Sequence, residues 1–467
     1  MKHLVLCLAA SISIVFTSHG ATAATPPRAL VEVDEAAELT AAVMRVAGYD
    51  EYMLNDCKAY VTALDSLLEP VKEHPAVELA RKIRKSGIGY DAVASLALAL
   101  EIQNDSVRFN PTLDAAKMLD DRWYFPTAER MVALLDDFYR TSGFHHFFES
   151  QKPFYAKAIA NMETMLTGVD FKWLEDFYGV PFDKVRVALS FSNDGNYGMT
   201  LKGIDGQDVF SPWICAYNTD DEGVPTYHGH EGIIIHEGTH PITNPLVDLY
   251  LDKFNGNSAR TVQLREKQLA RMAYASANTV IYETMVRACH KRYDLAHAAT
   301  GADSTAVIDN LRRETANFLT EEAIFNALGD YQHNRDKYPT IADFMPRLVD
   351  VHNSTSPDSV YNALLSRGPR IIGFNIEDGA LLNAGEHVLT ITFDKPVVYG
   401  FGLGKIDGLE VPDTSGGPHR SEDRCSFSIG LILEPGKQYG ISFPGWFGSV
   451  DHYYVPETVE LRFSTLP

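Results

Sequence analysis

The chain has 467 residues, 45% of them hydrophobic, and its 62 acidic against 41 basic residues give a formal charge of -21. That length and composition describe a globular protein of two or three domains rather than one. The charge repels nucleic acid and anionic membrane surfaces and leaves no basic stripe for either, which excludes nucleic acid as a partner.

At the N-terminus Lys2 precedes an apolar run from Leu4 to Phe16 and the small-residue sequence Ala21-Thr22-Ala23. This is the pattern of a secretory signal peptide over residues 1–23, cleaved before Ala24. The run is too short to anchor the chain, and Cys7 lies inside it, where it marks no acylation site. No later stretch approaches the roughly 20 apolar residues of a membrane helix, so the expectation is an extracytoplasmic protein, secreted or periplasmic, without membrane insertion. Cys57, Cys215, Cys289 and Cys425 remain after cleavage. They are far apart and form no CxxC pair, so free thiols and disulfides both stay open and a cysteine zinc site is disfavoured.

From Val31 to about Trp173 the apolar residues recur at helical spacing, as in Leu39, Ala42, Val43 and Val46, and again in Met131, Leu134, Leu135 and Phe138. His145 and His146 fall in an aromatic helix, where a core role is expected. The period then changes to two: Val185, Val187, Leu189 and Phe191 alternate with polar residues, and "YGMTL" and "VFSPWICAY" follow. These predict a small antiparallel sheet over about 183–217. A glycine- and histidine-rich loop, "DEGVPTYHGHEG", leads into "IIIHEGTHPITNP", and long helical stretches run from about Ser258 to Ala298 and on to about Val351. Residues 24–355 thus read as one mainly helical domain. Over 369–467 short strands alternate strictly, with Cys425, Phe427, Ile429, Leu431 and Leu433 on one face and Val459, Leu461 and Phe463 on another. Pro and Gly turns at regular spacing there indicate a β-sandwich of about 100 residues, and "TITFDKPV" resembles bacterial immunoglobulin-like domains. The fold class is therefore α+β.

The chemistry concentrates in residues 233–245. His236 and His240, four apart on a helix, point to the same side and reach one cation at about 2.0–2.1 Å. Glu237 then lies beside the open coordination position as general base of a metal-assisted hydrolysis. A chance HExxH is expected in roughly one such chain in thirty, but three β-branched residues before it suit a buried helix. Pro241 disturbs the turn, because it cannot donate to the Glu237 carbonyl and biases His240 away from helical dihedrals. The expectation is that the helix ends or bends immediately after His240.

A catalytic zinc requires a third protein ligand, and "ANTVIYETMVRACHKRY" offers Glu283. Spacing alone leaves Glu283 equally readable as an i,i+4 surface ion pair with Arg287, and Asp248, His290, His228 and His230 are further candidates. "HEGTHPITNPLV", "YETMVRA" and "YQHNRDKYPTIADFMPR" together resemble an uncharacterised bacterial family of exported proteins read as zinc metallopeptidases, a domain of unknown function with an HExxH helix. Asn244, Pro245 and Leu246 stand at the family's NPL, and Glu283, Val286, Arg287 and Ala288 at its later helix. The resemblance covers about residues 31–352. It implies Glu283 as the third ligand, a His-His-Glu arrangement similar to gluzincins, and a zincin-like domain; it lends no substrate. An oxyanion donor is sought among Tyr331, His230, His333, Arg335 and Arg287.

Two functions follow from this reading. One is a secreted zinc-dependent hydrolase, a metallopeptidase acting on a peptide or protein substrate, with Zn2+ on His236, His240 and Glu283 and a zinc-activated water deprotonated by Glu237. The other is a non-catalytic surface protein with a degenerate or structural metal site, whose C-terminal domain makes surface or glycan contacts.

Overall fold

A computed structural model describes residues 30–467 except 54–55, 182–184, 207, 217, 273, 399, 401, 445–446 and 455–456. The signal peptide read at 1–23 lies outside the described residues. The fold is α+β: a helical N-terminal part with small sheets, followed by a β-rich C-terminal region.

Local sequence accounts for the first helix, Glu35–Ala47. Asp34 caps it, its Oδ1 accepting from the amides of Ala36 and Ala37 at 2.9 Å each, and Gly48 ends it in the left-handed region at φ 84°. Leu39, Ala42 and Val43 are fully buried, as their spacing predicts. Helices follow almost without interruption to Tyr178. The exception is a hairpin of Leu100–Gln103 with Ser106–Phe109, whose Asn104 and Asp105 both take positive φ, 52° and 55°, as a two-residue hairpin turn requires. His145 and His146 are exposed instead of core, because Phe144, Phe147 and Phe148 take the buried face of their helix.

The small sheet corrects the antiparallel expectation. Its three strands, Leu30–Glu32, Arg186–Ser190 and Trp213–Cys215, are all parallel, with 186–190 in the centre. The alternation of Val187 and Leu189 is real, but Ala188 and Ser190 are buried too, as are Trp213, Ile214 and Cys215. A sheet covered on both faces suits parallel pairing, and its edge strand Leu30–Glu32 comes from a segment whose sequence joins a helical run. Beside this sheet, antiparallel pairing forms the two-stranded ribbons Thr200–Lys202 with Asp208–Phe210 and Asn218–Thr219 with Pro225–Thr226.

The second half of the helical part holds the two helices that carry the candidate site residues: the motif helix Glu231–Asp248 and the ligand helix Ala277–Ala296, which pack against each other. The long helical stretch read from about Ser258 to Ala298 comprises three helices, Asn257–Leu264, Glu266–Arg271 and Ala277–Ala296. Ser276 starts the last of them by accepting from the Thr279 amide at 3.0 Å.

The C-terminal region has two four-stranded sheets. One orders Ile371–Phe374, Gly385–Phe393, Ser426–Leu433 and Asp413–Arg420, all antiparallel; the other orders Ala380–Leu382, Thr458–Thr465, Gln438–Pro444 and Gly404–Lys405. Phe427, Ile429, Leu431 and Leu433 from the first share one apolar core with Leu461 and Phe463 from the second, as the alternation indicates. The region is tied to the helices by Gln268, which donates to Thr458 at 2.7 Å, and by Arg271, which pairs with Glu460 at 2.5 Å. Cys57, Cys215, Cys289 and Cys425 are all free. Among the described residues no helix is long and apolar enough to cross a membrane.

Within the main core Glu38 is 1% exposed, and its Oε2 accepts from the Tyr60 hydroxyl at 2.7 Å. Burial pushes its carboxyl up to about 7, against the Tyr60 hydrogen bond that lowers it. The native state therefore keeps a proton that the unfolded chain releases near pH 4.5. The stabilisation is complete below that pH and is lost as pH rises through 7. Urea unfolding of wild type and Glu38→Gln between pH 4 and 8 is expected to show wild type losing about 3 kcal/mol relative to the variant across this range. Parallel curves would refute the assignment.

Candidate metal centre

The motif helix begins after Gly229, whose φ of 77° turns the chain, and is anchored by the buried Ile234 and Ile235. One turn separates His236 from His240, and their rings lie 5.0 Å apart. The helix does not end at His240. It continues through Pro241 and Pro245 to Asp248, which corrects the expectation of a break. A helical proline costs about 3 kcal/mol or more through a lost bond and a crowded carbonyl. Here the losses are local and other contacts hold the helix. The Thr239 hydroxyl donates to the Ile235 carbonyl at 2.7 Å and lies 2.6 Å from the Tyr178 hydroxyl, and the Thr243 hydroxyl donates to the Thr239 carbonyl at 3.1 Å.

The carbonyl that Pro241 deprives of its donor belongs to Glu237, and Gly198 is pressed against it. A Cβ on Gly198 would stand 2.4 Å from that oxygen and 3.1 Å from Glu237 Oε2. Only glycine allows this approach, and its backbone N–H donates to the Glu237 carboxylate. Glu237 is partly buried in the wall of a cavity of about 330 Å³, together with His236, Arg287, His290, Lys291, Asn196, Asn310 and Glu314. Withdrawal from water, and secondly the charge of Glu283, push its carboxyl up to about 8. Burial first, then His240 and Arg287, hold His236 well below the usual histidine range, so it is neutral, as a ligand must be.

Across from the motif helix, Glu283 is 6% exposed. Its Oε1 is 3.5 Å from His240 Nε2 and its Oε2 is 3.6 Å from His236 Nε2. Ligand atoms about 2.0–2.1 Å from a tetrahedral ion are about 3.4 Å apart, so the spacing fits a cation between them. Taken together, one ligand atom from each residue lies within 4.8 Å of the others, and the group is able to hold a metal ion. The Arg287 guanidinium stands 3.1 Å from Oε2, yet that oxygen has no hydrogen bond of good geometry, which leaves it an acceptor for a cation. The ion pair with Arg287 and a place in the candidate metal-ligand group, alternatives from spacing, are compatible in this geometry. Arg287 is held in turn by Glu314 at 3.5 Å and by the Phe318 ring at 4.7 Å. On the other side His240 Nδ1 lies 3.4 Å from Asn244 Oδ1, which turns Nε2 toward Glu283.

The remaining sequence candidates are placed as follows. Tyr331 is fully buried with its hydroxyl donating to the Phe177 carbonyl at 2.5 Å, and Arg335 donates to the same carbonyl at 2.6 Å. His333 is exposed and bonds the Gly329 carbonyl at 2.7 Å. These three are occupied by backbone carbonyls, not gathered at the triad. His230 sits at the start of the motif helix, 3.1 Å from the Asn218 side chain, and His228 lines a separate cavity beside Met165 and Glu231. Asp248 accepts from the Tyr282 hydroxyl. His290 is 5.9 Å from the His236 ring and 3.4 Å from Asp294, outside the triad. Sequence reasoning missed Tyr274, whose hydroxyl is 3.5 Å from Arg287 Nη2, because it precedes the ligand helix in a loop with no spacing rule to link it. It also gave Asn244 no role, although an i,i+4 partner to a ligand histidine is a legible signal.

In comparisons with known proteins, residues 29–351 match a domain of unknown function, DUF4932. No curated protein matches the chain. Among solved structures, the crystal structure of the S-layer protein rSbsC(31-844) matches 54% of this chain at 13% identity with a TM-score of 0.16. The match spans about a third, 35%, of that protein's chain.

Metal content of chelator-treated, zinc-reloaded protein is expected to reach about one ion per chain. Glu283→Ala should lose it, and Asn244→Ala should weaken binding by about 10- to 100-fold. Full retention of tight zinc by Glu283→Ala would remove Glu283 from the ligand set.

Proposed function

The chain belongs to the DUF4932 family, domains of unknown function, and we propose that it is an exported zinc-dependent hydrolase that cleaves peptide bonds. The observation that carries this reading is the convergence of His236, His240 and Glu283 with Glu237 beside them on a cavity wall. Two neutral imidazoles and one carboxylate are the donors of catalytic zinc sites that keep a fourth position open, whereas calcium and magnesium favour all-oxygen sets. Zinc held by His236, His240 and Glu283 would supply Lewis acidity for the scissile carbonyl and the attacking water.

The protein's own residues do the rest. Glu237 takes a proton from the attacking water, whose oxygen bonds to the carbonyl carbon, and returns it to the amine nitrogen as the C–N bond breaks. The Gly198 N–H fixes the carboxylate for this shuttle. Arg287 holds Glu283 in place, and Asn244 orients His240. Tyr274 donates its hydroxyl to the oxygen that gains negative charge. Asn196 and Gly198 pass beside Glu237 and offer an edge along which an extended peptide aligns. The signal-peptide pattern of residues 1–23 supports a location outside the cytoplasm, and the C-terminal pair of sheets, read as an immunoglobulin-like sandwich, serves as a surface or glycan contact module.

One observation favours the non-catalytic reading. Arg287 already balances the Glu283 charge at 3.1 Å, so the cluster is electrically tolerable without a metal.

A peptide library is expected to be cut by zinc-loaded wild type, with Glu237→Gln slowed by about 10²- to 10⁴-fold at unchanged zinc content. Equal behaviour of the two proteins would support the non-catalytic reading. Tyr274→Phe should lower kcat by about 10²-fold with little effect on KM; an unchanged kcat would remove Tyr274 from the chemistry.

A further inference from the structure

The cavity beside the triad contains a cation that bond cleavage does not use. Lys291 follows Glu283 and Arg287 on one stripe of the ligand helix, about 12 Å along the axis from Glu283. Its side chain is only 5% exposed and forms part of the same wall as His236 and Glu237. The ammonium pairs with Asp294 Oδ2 and Glu314 Oε1 at 3.6 Å each, both longer than a well-formed charge-assisted bond. Neither carboxylate is its own: Asp294 is also 3.4 Å from His290, and Glu314 is 3.5 Å from Arg287. A buried ammonium has three donors to satisfy, and two long, shared ion pairs satisfy them weakly. Nearby Asn310 accepts from Arg313 at 2.7 Å through its side-chain oxygen, which leaves its amide donors over. The cavity, about 330 Å³, has room for a single side chain and its charged end.

An anion placed in the cavity would give Lys291 a closer acceptor than these two shared carboxylates, and on the reading of the triad as a peptide hydrolase that anion belongs to the substrate. We propose that the cavity is a specificity pocket in which Lys291 binds a substrate carboxylate next to the scissile bond. The carboxylate is either the α-carboxylate of a C-terminal residue or the side chain of Asp or Glu. Charge-assisted bonds to a buried ammonium are about twice as strong as neutral ones, so the pocket separates acids from their amides rather than large residues from small. In a chain of formal charge -21 the selectivity comes from this local site and not from the overall field.

Calorimetric titration with three probes tests this. N-acetyl-L-glutamine carries only the α-carboxylate, N-acetyl-L-glutamate α-amide only the side-chain carboxylate, and N-acetyl-L-glutamine amide neither. Zinc-loaded protein is titrated first and metal-free protein second, since without zinc a probe carboxylate reports on the pocket alone. In both states one of the two acids is expected to bind about tenfold or more tightly than the neutral probe, and the tighter one names the source of the carboxylate. Lys291→Met should abolish the preference, and Lys291→Arg should keep part of it. Should Lys291→Met fail to fold, the wild-type probe series and Lys291→Arg still decide. Equal binding of all three probes to wild type, or an undiminished preference in Lys291→Met, would overturn the proposal. Acid preference in a protein that cuts no peptide leaves the pocket standing and the hydrolase reading fallen; cleavage without acid preference does the reverse.

Discussion

A carboxylate that is 6% exposed has to find positive charge or hydrogen-bond donors, and Glu283 finds them between two helices. Its oxygens face His236 and His240 on the motif helix, while Arg287 approaches from one turn further along its own helix. The two helices therefore meet over a charged group set among apolar residues such as Ile234, Ile235, Ile281 and Met285. That makes their packing conditional: remove the carboxylate, and Arg287 and the two imidazoles are left facing one another across a partly dry gap. The layers behind the site support this arrangement, with Phe318 under the guanidinium and Glu314 on its far side.

The motif helix shows how a local defect becomes a structural feature. Pro241 removes one helical hydrogen bond, and the carbonyl left behind is the one on which Gly198 closes. The same glycine donates to the Glu237 carboxylate, so the segment before Thr200–Lys202 and the helix meet at Glu237 itself. Thr239 and Thr243 spend their hydroxyls on carbonyls of the helix, and Tyr178 meets Thr239 from the opposite layer. The tertiary contacts that hold the helix outweigh the preference of its sequence to stop. This is the ordinary way in which packing overrides propensity.

The C-terminal sheets bury their own apolar core and touch the helical part mainly through polar side chains, such as Gln268 with Thr458 and Arg271 with Glu460. Tyr454 adds a bond to Asp309 at 2.6 Å. A contact of this kind orients the two parts without merging their cores.

Much of this was legible in residue order. Alternation at period two named the buried faces of Ser426–Leu433 and Thr458–Thr465, and helical spacing named Leu39, Ala42 and Val43. Both depend only on the fixed geometry of strand and helix. The motif placed His236, Glu237 and His240 on one helix, again because residues four apart share a face. What tertiary structure decided is whatever joins distant segments. Strand direction in the small sheet turned on which segments became neighbours, and a buried parallel strand carries little alternation to betray it. The placement of Glu283 against both histidines, the bond of Tyr331 to the Phe177 carbonyl, and the approach of Gly198 to Glu237, of Tyr274 to Arg287 and of Lys291 to the cavity wall are likewise set by packing. Periodicity reports which face of an element is buried, but not which element covers it, and the chemistry of the site is made by that second fact.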